Sequence, residues 1–246
     1  MSEEQNTDLD PQVIDYVSAV ARAALGTVPF AGSLLVELAG VIIPNQRIDR
    51  IAKFAKTLES KLSNLEQDFV RSQLTNENFT DLLEEGLRQA ARSLSDERRE
   101  YIASLIENSL SSEDIEYVES KHLLRILGEI NDIEIVWLRF YLEPVLDGDE
   151  TFRSKHANIL EPIMATLNDP PEVHEKEALQ ESYKEHLAQL GLLQREYNID
   201  PGTRIPQLDI STGSLETRRY KISSLGRLLL KYIGFADDFS RANNGI

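Results

Sequence analysis

The sequence predicts a mainly α-helical protein, with an N-terminal helical bundle around one long helix and a smaller C-terminal part that adds two short strands. Three observations carry this expectation. Apolar residues recur at steps of three and four from Ile48 to Phe69. Helix-start signals recur along the first 140 residues or so. Two strand-like runs, Leu192–Ile199 and Arg218–Ile222, flank a loop rich in Pro, Gly and Thr near the C-terminus.

The long helix is expected from Pro44 to Leu74, PNQRIDRIAKFAKTLESKLSNLEQDFVRSQL. Ile48, Ile51, Ala55, Leu58, Leu62, Leu65 and Phe69 form an a/d heptad stripe, one narrow apolar seam of the coiled-coil kind. Charges of both signs lie between the seam positions and suit a wetted face. Pro44 is well placed in a first turn, where a missing N–H costs nothing. Because such a seam also pairs chains, a homodimer is expected.

Ahead of it, residues 1–10 read as a disordered tail. Asp10 and Pro11 open a helix through about Leu25, Gly26 ends it, and the apolar segment FAGSLLVELAGVII follows. Ala23–Val36 carries no charge, which makes Leu25, Phe30, Leu34, Leu35, Val41 and Ile42 candidates for a conditional membrane hairpin. Arg22, Pro29 and Glu37 interrupt it, and a span needs about 20 apolar residues. A buried core helix is the plainer reading.

After the long helix, Asn76–Ser93 has helical apolar spacing at Phe79, Leu82, Leu83, Leu87 and Ala90. Ser95, Ser112 and Asn131 each precede acidic residues, the signature of a capped helix start. The bundle is expected over 11–128. A helix around Thr151–Leu167 and another from about Val173 to Leu190 follow, then strand, loop, strand and a closing helix.

Composition narrows the function classes. The 246 residues carry a formal charge of −16, which argues against binding nucleic acid through overall electrostatics. From Val173 onward ten basic residues balance ten acidic ones, so the excess lies entirely before that point. Cysteine is absent, which removes disulfides and thiolate chemistry and fits a reducing cytoplasm. The acidic start MSEEQNTDLD is the reverse of a signal peptide. No phosphate-binding glycine loop, nucleophile elbow or paired-histidine metal motif is present. Glu119 and His122 have the spacing of a metal-binding pair, but it occurs once, whereas a di-iron bundle uses it twice. No enzyme activity, cofactor or metal is therefore expected.

The segments HLAQLGLLQREY and YKISSLGRLLLKYI resemble the end of the third helix and the second wing strand of the winged-helix superfamily, over roughly residues 129–235. The resemblance implies a winged-helix-like domain with a small β-wing, leaving 236–246 as a C-terminal tail. In that superfamily the third helix often enters a DNA groove. Here that helix carries Glu172, Glu175, Glu177, Glu181 and Glu185, which phosphates repel. The wing is better supplied, with Arg204, Arg218, Arg219 and Lys221. The expectation is a non-enzymatic, bacterial-type interaction or regulatory protein, with an acidic bundle and a winged-helix module making protein contacts. A regulator that touches DNA through the wing and a membrane-active effector using the hairpin are the alternatives.

Overall fold

The computed structural model describes residues 47–111, 116–144, 149–208 and 213–235. The expected tails at 1–10 and 236–246, and the apolar hairpin with Leu25, Phe30, Leu34, Leu35, Val41 and Ile42, lie outside the described residues. The chain divides into two compact units, Met1–Arg125 and Ile126–Ile246. It is mainly helical, with one small two-stranded antiparallel sheet among the described residues. No helix among them is long and apolar enough to cross a membrane.

In the first unit the helices are α1 (Ile48–Leu62), α2 (Gln67–Gln73), α3 (Glu77–Arg92) and α4 (Asp96–Ser111), followed by α5 (Tyr117–Glu129), within which the border between units falls. The pairs α1–α4, α1–α3 and α3–α4 make up its core. Ile51, Phe54, Leu58 and Leu62 from α1 are buried there with Phe79, Leu82, Leu83 and Leu87 from α3 and Ile102, Leu105 and Ile106 from α4. Each such leucine stabilises the fold by about 1.5–3 kcal/mol relative to exposure. At Gly86 a Cβ would stand 2.6 Å from Ile106 Cδ1, so a side chain there would crowd α4.

The long heptad helix is corrected by this arrangement. Its first half is present as α1, but the chain leaves the helix at Ser63 and starts again at Gln67. Ser63 and Asn64 satisfy the last carbonyls locally, with Ser63 Oγ donating to Ser60 O at 2.8 Å. The interruption resets the helical phase. Past it, Val70 is buried, while the seam residue Phe69 is 40% exposed and Leu65 is half-buried.

The capping signals at Ser95 and Asn131 are realised, the one at Ser112 lies outside the described residues, and Asn76 adds a further cap. Asn76 accepts from the backbone N–H groups of Asn78 and Phe79 at 3.0 and 3.4 Å. Ser95 Oγ accepts from Arg98 N at 3.1 Å. Both satisfy donors that a helix N-terminus leaves unpaired.

The second unit holds α6 (Asp132–Phe140), α7 (Glu150–Lys155), α8 (Ala157–Leu160), α9 (Pro171–Gln189), β1 (Leu193–Tyr197), β2 (Thr217–Ile222) and α10 (Ser224–Leu230), which continues into a wider turn at Lys231–Phe235. The expected Thr151–Leu167 helix is shorter and broken. Pro162 forces Glu161 into an extended conformation (φ −60°, ψ 121°), as the residue before a proline must usually be. Gln180 of α9 secures the loop that results. Its amide donates to Ile159 O and Glu161 O at 3.3 and 2.9 Å and accepts from Ile163 N at 3.2 Å.

α9 ends where Gly191 takes φ +75°, a conformation that favours glycine. The strands then pair antiparallel from Leu193↔Ile222 to Tyr197↔Thr217, with an irregularity at Glu196/Tyr197. Ser223 caps α10, accepting from Gly226 N at 2.9 Å. Gly226 has to be small, since a Cβ there would lie 2.4 Å from the backbone oxygen of Leu192.

Candidate functional site

The seven seam residues do not form one surface. Ile51, Ala55, Leu58 and Leu62 are buried within the chain's own bundle, at 2% exposure or less. Ile48 belongs to α1, and Leu65 and Phe69 follow the break. The helices of this unit are not strongly acidic either. The described residues of the first unit hold twelve basic and fourteen acidic side chains, whereas residues 126–172 hold three basic and ten acidic ones. Glu119 of the metal-like spacing accepts from Glu116 N at 2.9 Å, and His122 is exposed. Among the described residues no group of three His, Asp or Glu side chains is placed to hold a metal ion.

The two-stranded hairpin is the more developed surface. Beyond the strands, bridges Ile199↔Pro206 and Leu208↔Leu215 continue the ladder outward. Asn198 N donates to Glu216 O, Glu216 N to Gln207 O and Gln207 N to Asn198 O, at 2.9, 2.9 and 2.8 Å. The tip is a tight turn in which Asp200 Oδ1 accepts from Gly202 N and Thr203 N at 2.9 and 2.7 Å. These bonds favour the ionised form and hold the Asp200 carboxyl below its usual range. Arg204 follows with φ +58°, and Ile205 closes the turn by accepting from Asp200 N at 3.0 Å.

Large apolar side chains stand out from this hairpin. Ile199, Ile205 and Leu208 are 51%, 62% and 61% exposed, and Leu215 is exposed beside them in sequence register. The expected cations are distributed on the same element. Arg204, Arg218 and Lys221 are exposed, whereas Arg219 Nε donates to Glu196 on the neighbouring strand. The hairpin is thus an apolar surface edged by cations rather than a basic one.

A polar cluster fastens it to α9. The Tyr220 hydroxyl lies 2.6 Å from Glu181 Oε1 and within hydrogen-bond reach of Glu185. Arg195 Nε donates to Glu185 at 3.1 Å, and Lys184 Nζ to Glu181 at 3.0 Å. Burial, then the two carboxylates, push the Tyr220 hydroxyl well above its ordinary pKa. The Arg195 hydrogen bond holds the Glu185 carboxyl low against the opposing effect of burial. A proton held this firmly suits fastening a strand to a helix, not transferring a proton near neutral pH. The same pairs leave Glu185 half-buried, while Glu172, Glu175 and Glu181 are exposed on α9.

Sequence reasoning passed over Tyr220, Gln180 and Arg139. Arg139 is buried on α6, 2.5 Å from Asp149 Oδ2 and over the Phe152 ring at 4.9 Å. An arginine within an apolar run such as IVWLRFYL was the available signal, because buried arginines need a partner. Trp137, Phe140 and Tyr141 of that run form ring contacts with one another, and Tyr141 reaches Tyr220 at 6.1 Å.

No family model, no curated protein and no solved structure matches this chain.

Proposed function

We propose that the protein is a non-enzymatic interaction or regulatory protein whose C-terminal unit, a winged-helix-type module, contacts another protein through its wing. The observation that supports this reading is the set of exposed apolar side chains Ile199, Ile205, Leu208 and Leu215 on a wing whose tip is stiffened by Asp200. Protein interfaces bury apolar anchors at their centre and keep charges at the rim. The cations Arg204, Arg218 and Lys221 suit a partner that pairs acidic with apolar groups. A self-paired form would need a surface other than Ile51, Ala55, Leu58 and Leu62, which the bundle already buries.

The second reading, DNA contact through the wing, is favoured by the exposure of those three cations. Against it stand the exposed apolar side chains that flank the tip and the exposed glutamates on α9, both poor neighbours for phosphates. A paired substitution separates the two. Ile205→Asp with Leu208→Asp abolishes protein capture if the apolar wing is the contact. Arg218→Glu with Lys221→Glu abolishes salt-sensitive DNA retention if the cations are.

A further inference from the structure

One face of the first unit has the composition of a ligand site. The polar side of α1 presents Lys53, Lys56, Thr57, Ser60 and Lys61 toward Asp96, Arg99 and Glu100 from the first turns of α4, enclosing a cleft of about 570 Å³. Four cations face two carboxylates, in a chain whose total charge is −16.

Lys53 and Lys61 are ion-paired with neighbouring carboxylates, but at long range. Lys53 Nζ stands 3.5 Å from Asp96, and Lys61 Nζ 4.0 Å from Glu100 and 3.8 Å from Glu107, beyond ordinary hydrogen-bond length. Among the described residues Lys56 has no ion-pair partner. Asp96 is already taken by Arg99, whose guanidinium is buried and also donates to Ser93 O at 2.9 Å. Arg99 is thereby a fixed positive floor, and the three ammonium groups are movable donors above it.

We propose that this cleft binds a phosphorylated polyol, a class that covers a free sugar phosphate and an inositol-phosphate lipid headgroup. The lysines and Arg99 take the phosphate oxygens, where lysine acts as a mobile point charge. Asp96, Glu100 and the Ser60 hydroxyl face the polyol, whose O–H groups donate to carboxylates. The four cations suit an anionic guest, and the volume lies within the range of small-molecule sites. This site is independent of the wing.

The test uses the full chain, titrated calorimetrically with glucose phosphate and, separately, floated with phosphatidylcholine vesicles containing phosphatidylinositol phosphate. Lys53→Gln with Lys56→Gln removes two exposed charges, and circular dichroism confirms that the fold survives. The expected result is binding weakened about tenfold or more in that variant, recovered by Lys53→Arg with Lys56→Arg, and unchanged by Lys121→Gln outside the cleft. Binding of the soluble ester assigns a free ligand; vesicle binding alone, lost in the same variant, assigns the headgroup. Absence of both, or binding that the Gln variant retains within about twofold, overturns the proposal.

Discussion

Glu134 and His186 join α6 to α9 through a carboxylate that is buried and fully used. Glu134 Oε1 lies 2.6 Å from His186 Nδ1, and its Oε2 accepts from Asn131 N at 2.7 Å. Asn131 returns the bond, accepting from Glu134 N at 2.9 Å, so the capping box at the start of α6 also positions α9. Since α9 in turn carries the glutamates that hold Tyr220, the two-stranded hairpin is secured at one remove from this pair.

Glu134→Ala strands the Asn131 N–H and leaves the imidazole unsupported. It should cost about 1–3 kcal/mol, read from urea unfolding. His186→Ala should cost a comparable amount, because it leaves the buried Glu134 Oε1 without its partner.

Leu58 and Phe69 both belong to the a/d stripe, yet only Leu58 is in the core. Leu58→Ala should lower stability by about 2–5 kcal/mol, and Phe69→Ala by about 0.5 kcal/mol or less. Equal costs in thermal melts would restore a continuous seam.

What the sequence made legible, and what it hid, follows from this contrast. Local chemistry was readable: the caps at Ser95 and Asn131, the helix that became α9, and both strands depend on residues close in sequence. The break at Ser63–Glu66 was not, because a heptad pattern scores the same whether the helix runs through or stops and restarts in a new phase. Pro162 was a readable signal that the helix could not reach Leu167. The Tyr220 cluster joins residues 35 and 39 positions apart, which no periodicity reports.

Gly226→Ala should destabilise the second unit by about 1–3 kcal/mol, since the clash is with backbone that cannot rotate away. Gly86→Ala should be milder, because the Ile106 methyl it meets can change rotamer. Unfolding midpoints of the two variants decide this.

Tyr220 gives an alkaline limit. The fold holds its proton more tightly than the unfolded chain, where tyrosine titrates near about 10. Its contribution is complete below that value and is lost as the pH rises above it. Tyr220→Phe should therefore lose less further stability than the parent above about pH 10. Glu185 acts in the opposite sense. Its lowered pKa contributes stability above the ordinary glutamate value of about 4.3, lost as the pH falls through and below it. Arg195→Gln should flatten that acid limb in pH-dependent melts.

The most direct measurement is site-specific photocrosslinking from position 205 of the intact, tagged protein in its native cells, after nuclease treatment. The account predicts one defined protein adduct that disappears when Leu208→Asp is added and persists when Arg218→Glu is added. A crosslink to nucleic acid alone, or a protein adduct indifferent to Leu208→Asp, would contradict it.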